Sequence, residues 1–335
     1  MRIPTSIQAL SAVAALALLA GCSGNGSALP ASSITNQSHA RMLNLHAPTG
    51  VAPQFLQSIH FGRTASVRPN TPGPKDLAVS DFGTGGVEIL DHNYAMEGAI
   101  SDATFCPDGN FYDKSGHEYD ADYCGSAVTE YKGNGTLLFT YAAAGLSNPV
   151  GVTTDSANNV YAADFGGGGA SIVVEFPQGN STPTASCSTG LANEGIAVDS
   201  NGAVFVSGNN PNTGAGNIVE YPNGLAGCPT PTVLGVTLGF AGGLQVDRAH
   251  NLVACDQFAG IDIIPSPYTS ISSTITGFSD PFHVAINHHN GKIFVADPGN
   301  ANVQVDLYPS GTPFMTLSGA NGLVDPASVA TNPYP

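Results

Sequence analysis

The sequence predicts an all-β fold, a six-bladed β-propeller whose C-terminal strand closes the first blade, and three observations carry that expectation. A unit of related sequence recurs along the chain, Gly- and Asn-rich turns separate its strands, and the two ends of the repeat region complete one another. Composition agrees. Charged residues make up 10% of the chain, with 41 Gly and 24 Pro, which is poor material for helices and good material for short strands joined by tight turns.

The repeat is clearest in NPVGVTTDSANNVYAADFGGGGASIVVEFPQG (148–179), ANEGIAVDSNGAVFVSGNNPNTGAGNIVEYPNG (192–224) and DPFHVAINHHNGKIFVADPGNANVQVDLYPSG (280–311). Each holds an apolar strand ending in Asp or Asn, a turn, a second strand, a Gly/Asn-rich loop and a third strand. A Pro turn and a weaker fourth strand follow. Residues 241–267 form a further copy and 104–135 a divergent one. The residues closing the first strand are read as Cys106, Asp155, Asp199, Asp247, Asn287 and Asn332, spaced 40 to 49 residues apart, the length of a four-stranded blade. Asp108-Gly109, Asn201-Gly202 and Asn290-Gly291 are expected to form two-residue hairpins.

Closure is legible too. KDLAVSDFGTGGVEILD (75–91) matches 158–176 but lacks a first strand, and DPASVATN (325–332) matches DPFHVAIN (280–287). The last strand is therefore expected inside the first blade, which removes the free edges of the ring.

Ahead of the repeats, Arg2, a short apolar run from Ala9 to Ala20 and the tetrad Leu19-Ala20-Gly21-Cys22 read as an export signal. The apolar run is shorter than the ~20 residues a membrane span needs. The tetrad resembles a bacterial lipobox, which implies cleavage before Cys22, diacylglycerol and palmitate on that residue, and a lipid anchor in the membrane of the cell envelope. Ser23 after the Cys points to the outer membrane if the cell is Gram-negative. The domains are thus a signal peptide (1–21), a lipidated N-terminus and tether (22–74) and the propeller (75–335).

A formal net charge of −16 argues against nucleic acid as a partner. The expected partners at the propeller face are a small molecule, a polysaccharide or a protein. Export permits disulfides, and Cys106 with Cys124 and Cys187 with Cys228 are the expected pairs. Cys255, in an apolar run, reads as a buried free thiol.

The pattern Pro-x-Gly-Val-x-x-Asp followed by Val-Tyr-x-Ala-Asp, as at Pro149–Asp155 and Val160–Asp164, resembles NHL repeats and the broader six-bladed superfamily that includes gluconolactonase-like proteins. The resemblance covers about 75–335 and implies the fold. It does not imply one function, because such rings serve binding modules and enzymes alike.

Aligned repeats place Asp102, Gly151, Gly195, Gly243, His283 and Ser328 at one channel-facing position, with Glu194 one residue earlier in its blade. Asp102, Glu194 and His283 are the candidate ligand-binding residues. Such a set can bind a divalent cation or exchange protons. The resemblance implies, for the lactonases, a metal held by a first-blade Glu with pore-facing carboxylate and Asn side chains. Here Asp325 to Asn332 offers no Glu, and only Asp102, Glu194 and Asn193 stand nearby. For streptogramin lyases it implies a catalytic His with a metal, for which His283 is the one candidate. A binding or scaffold module is therefore the first expectation and a metal-dependent hydrolase or lyase the second. The recurring acids Glu130, Glu175, Glu220 and Asp306 are expected on a solvent face of strand three. Asp81, Asp164, Asp256 and Asp297 are expected to cap turns.

Overall fold

The computed structural model describes residues 77–101, 105–133, 135–166 and 171–332. Cys22, the signal and tether segments and Asp102 lie outside the described residues. Six antiparallel four-stranded sheets form the blades of a closed ring. The first blade holds β1 (Leu77–Asp81), β2 (Gly86–Leu90) and β3 (Met96–Ile100). The second holds β4 (Pro107–Tyr112), β5 (Glu118–Asp122), β6 (Ala127–Tyr131) and β7 (Leu137–Tyr141). The third holds β8 (Pro149–Thr154), β9 (Val160–Asp164), β10 (Ile172–Phe176) and β11 (Ala185–Ser188). The fourth holds β12 (Ala192–Val198), β13 (Val204–Asn209), β14 (Gly216–Tyr221) and β15 (Thr232–Leu238). The fifth holds β16 (Ala241–Val246), β17 (Leu252–Asp256), β18 (Gly260–Ile264) and β19 (Ser273–Ile275). The sixth holds β20 (His283–Ile286), β21 (Lys292–Asp297), β22 (Asn302–Leu307) and β23 (Thr312–Leu317). The last strand, β24 (Pro326–Thr331), pairs with β1 and completes the first blade, with Leu77 opposite Thr331 and Val79 opposite Val329.

The blades need one another. Each buries an apolar face only against its neighbour, and six apolar clusters lie one at each blade-to-blade seam. Among the described residues, the seam between the first and second blades, around Val87, Phe105, Tyr112 and Tyr131, has the smallest of these apolar clusters, and it is where buried acids gather.

One device recurs where the inner strand turns back. Oδ1 of Asp113, Asp155, Asp199 and Asp247 accepts the backbone N–H groups two and four residues on, at 2.7–2.9 Å. The residue three positions on (Gly116, Asn158, Gly202 and His250) has positive φ. These are three-residue loops with a left-handed third residue, the loop length after the two-residue hairpins that the Asn-Gly pairs suggested. In the sixth blade the loop is one residue longer, and Asn290 takes the left-handed position. Asp108 and Gly109 lie inside β4, not in a turn. The residue closing that strand is Asp113, seven positions past Cys106.

The caps on the second strand are present. Asp164 accepts N–H from Ser147 and Asn148, and Asp297 does so from Ser279 and Asp280. Asp256 accepts them from Gly239, Phe240 and Phe258. Asp81 accepts four, including two from the far end of the chain. The acids of strand three correct an expectation: Glu130 and Asp306 are buried, and Glu175 and Glu220 are half-buried. Alternation identified the face, but part of that face is covered. Glu130 accepts the Tyr141 hydroxyl at 2.7 Å and lies 2.8 Å from His117 Nδ1.

Both disulfides form. Cys106–Cys124 staples the start of β4 to the β5–β6 turn, and Cys187–Cys228 clips the outer strand of the third blade to a loop of the fourth. Cys255 is a buried free thiol. Two disulfides mark an oxidising, extracytoplasmic setting. Among the described residues, no helix is long and apolar enough to cross a membrane.

Candidate functional site

The six inner strands surround a central channel, and the channel holds a cavity of about 230 Å³. Side chains alternate along a strand, so residues two apart share a direction. One ring around the cavity is Asn110, Val152, Ile196, Leu244, Val284 and Val329, and the next is Tyr112, Thr154, Val198, Val246, Ile286 and Thr331. Between them these rings, with Thr153 and Gln245 from the intervening positions, make a sleeve of mixed character, aliphatic at Val152, Ile196, Leu244, Val284 and Val329 and polar at Asn110, Thr154 and Thr331. The sleeve ends where the inner strands turn back, at exposed Arg248 and His288 and at half-buried Asn287 and Asn290. The cavity thus opens among the hairpins that end the inner strands, away from the strand starts, where the repeats place His283.

Next along the inner strands is the ring position seen in the repeats, and His283 is its member that lines the cavity, as the floor. Gly151, Gly195, Gly243, His283 and Ser328 occupy the position, and the second blade contributes Gly109, seven residues past Asp102. Close approach explains the glycines: a Cβ on Gly195 would stand 2.7 Å from the Gly243 Cα, and one on Gly109 would stand 2.8 Å from the Gly151 Cα. Ser328 Oγ donates to Asn110 Oδ1 at 2.9 Å. His283 is the one large side chain in this layer. Its ring fills the space over Gly243, where a Cβ would come within 2.4 Å of Cδ2.

His283 is 7% exposed, lines the cavity, and has no hydrogen-bond partner on either ring nitrogen among the described residues. Burial lowers its pKa to about 4, so the imidazole is neutral, with one N–H to give and one lone pair to accept. A buried polar group left without a partner costs about 1–3 kcal/mol, which a bound molecule or water removes.

Glu194 does not line this cavity. It is buried one residue before Gly195 and takes a bond from Asn209 Nδ2 at 3.4 Å. Asn193 is a structural fastener. Its amide donates to the Asp164 and Ile172 carbonyls, and its oxygen accepts from Thr189. Among the described residues, no three His, Cys, Asp or Glu side chains are grouped as metal ligands.

Beside the channel, β5 points Glu118 and Asp120 into the seam with the first blade, where both are buried. Ser80 Oγ reaches Asp120 at 3.4 Å. Burial pushes the Glu118 carboxyl up to about 8, against a smaller opposite pull from the Asn110 amide. Burial and then the neighbouring Glu118 raise Asp120.

The repeat position placed His283 at the channel, where it lines the cavity, and the repeats did not mark the rim. Arg248 and His288 sit in the short hairpins after the inner strands. The signal available was an arginine directly after the strand-closing Asp247 in a chain with few cations. Arg248 Nη2 lies 2.7 Å from His288 Nε2.

No protein-family model matches the chain, and no curated protein sequence matches it. Solved structures do share its fold. A structure from a nidogen/laminin complex superposes with a TM-score of 0.63 at 16% identity, covering 77% of this chain and 98% of that one. A protein of unknown function from Bacteroides caccae gives 0.61 at 13% identity, covering 77% and 99%. Virginiamycin B lyase from Staphylococcus aureus, a catalytically inactive variant with quinupristin, gives 0.52 at 9% identity, covering 72% and 80%. At these identities the likeness shows a shared propeller architecture, one found in a protein complex and in a lyase alike.

Proposed function

We propose that this protein is an exported, lipid-anchored binding module that takes a small-molecule ligand in its central cavity. The observation that carries the proposal is His283, buried in the wall of the cavity with both ring nitrogens unpartnered among the described residues. A cavity that combines apolar walls with convergent polar groups is a common form of small-molecule site. Anchoring is supported by the lipobox-like run ending at Cys22 and by the two disulfides. Residues 22–74 would hold the ring off the membrane. Solved propellers that act as enzymes keep a second outcome in view, a metal-dependent hydrolase or lyase.

Two experiments test this. Thermal-shift screening of the purified protein against small acids, amines, sugars and neutral alcohols, with elemental analysis alongside, should find ligands that raise Tm and are returned unchanged. Absence of any shift across the panel, or stoichiometric divalent metal together with conversion of a ligand, overturns the binding role. Separately, cells fed an alkyne-tagged palmitate should label the protein, and Cys22→Ser should abolish the label. Persistent labelling refutes the anchor.

A further inference from the structure

We infer that the occupant of the cavity is a small monocarboxylic acid with an apolar body and a hydroxyl or carbonyl at its far end, an assignment that rests on the ligand-binding role proposed above. Its carboxylate meets Arg248 at the rim and its polar end meets His283 at the floor.

The rim sets the charge. Arg248 is the only arginine among the described residues of a chain with 25 Asp and Glu against 9 Lys and Arg. In so acidic a protein an arginine is expected to find a carboxylate. Its side-chain contacts among the described residues are instead with the ring of His288, at 2.7 Å to Nε2 and 3.3 Å to Nδ1. Partial burial, Arg248 and His289 all hold the His288 pKa down, so His288 orients the guanidinium without neutralising it. A guanidinium offers a planar fork that suits a carboxylate in two parallel bonds. Arg248 therefore stands at the opening of the cavity with its charge uncompensated by any described side chain.

The sleeve and floor set the rest. Val152, Ile196, Leu244, Val284 and Val329 accept an apolar body, with Asn110, Thr153 and Gln245 beside them, and Arg248 is the one Lys or Arg side chain of the lining, so a second carboxylate would find no cation. From Gly243, beside His283, to Val246 at the end of the inner strand is three residues, roughly 10 Å at about 3.3 Å each. A molecule reaching from His283 to Arg248 is thus a chain or ring system of about that length. A volume of about 230 Å³ is below the usual range for drug-sized ligands and suits a single compact acid. At the floor, the neutral imidazole can give one hydrogen bond and accept one, which a hydroxyl satisfies fully and a carbonyl in part.

Isothermal titration at low salt with ω-hydroxyoctanoate, octanoate and octanediol tests each part. The hydroxy acid should bind tightest. Arg248→Gln, a change at an exposed residue, should weaken both acids about tenfold or more and leave the diol unchanged. His283→Ala should bring the hydroxy acid down to the affinity of octanoate and leave octanoate itself where it was. Circular dichroism and Tm confirm that each variant is folded. Equal binding of diol and hydroxy acid, or acid binding indifferent to Arg248→Gln, overturns the assignment, as does failure of both acids to bind. In the last case the screening panel separates the two failures. A cationic or neutral ligand whose binding is lost in a sleeve-filling Val284→Phe variant leaves the binding role standing and removes the acid. No ligand of any class removes both.

Discussion

Asp81 Oδ1 accepts the backbone N–H of Asp325 at 2.9 Å, across 244 residues of chain, and Oδ2 takes the N–H of Val324 at 2.7 Å. One carboxylate near the start of the ring thus holds the segment that leads into its last strand. The same carboxylate caps its own turn through Gly83 and Thr84. Asp81→Ala leaves four N–H groups, that of Asp325 buried and the others part-buried, without their acceptor and should cost about 2 kcal/mol, read as a lower urea midpoint with an unchanged slope. A chain ending at Gly322 should lose cooperative unfolding altogether, because β1 is then an open edge. Retention of a sharp wild-type transition in the truncated chain would show that β24 does not lock the ring.

The ring was legible because three blades share Pro-x-Gly-Val or its close variants, and because Gly is required where inner strands approach one another at Gly195 and Gly243. The second blade was misplaced by seven residues for a local reason. Asp108-Gly109 has the sequence of a tight turn, yet its Gly serves the close approach to Gly151, while the true turn at Asp113 carries Gly116. Burial of Glu130 and Asp306 was not legible. A period of two identifies which face a side chain takes, not whether the next blade covers that face. His283 could be placed at the channel from its repeat position. The partnership of Arg248 with His288, from hairpins of adjacent blades, exists only once the ring has closed.

The seam between the first two blades should make stability depend on pH. The Glu118 carboxyl, at about 8 in the folded protein against 4.5 ordinarily, keeps a proton that the unfolded chain releases. Its contribution is therefore full below about 4.5 and is lost as pH rises towards 8, at up to about 1.4 kcal/mol per pH unit. Asp120, also raised, acts in the same direction. Glu118→Gln, which removes the charge and keeps the shape, should raise Tm near pH 8 and change it little near pH 5. An equal effect at both values would show that Glu118 does not carry the dependence.

The two disulfides should differ in worth. Cys187–Cys228 closes the longer loop, with a sequence separation of 41 against 18 for Cys106–Cys124. Chain entropy then assigns roughly 4 kcal/mol to the first and roughly 3 kcal/mol to the second. Paired Cys→Ala variants unfolded in guanidinium should show that order. The first pair also joins two blades, so its loss should broaden the transition as the third and fourth blades separate.

Gly243 and His283 should behave as a coupled pair. A Cβ at position 243 would stand 2.4 Å from His283 Cδ2 and 2.7 Å from Nε2, so Gly243→Ala must push the imidazole off the cavity floor. The expected cost is about 1–3 kcal/mol, typical of overpacking, together with loss of any discrimination between hydroxylated and plain ligands. His283→Ser, which installs the residue that Ser328 supplies at the same position of the first blade, should relieve the crowding. Gly243→Ala in the His283→Ser background should then cost much less than it does alone, and the difference is the coupling energy of a double-mutant cycle. Additive costs would mean that the ring does not rest where its geometry puts it, and the floor of the cavity would have to be assigned to other side chains.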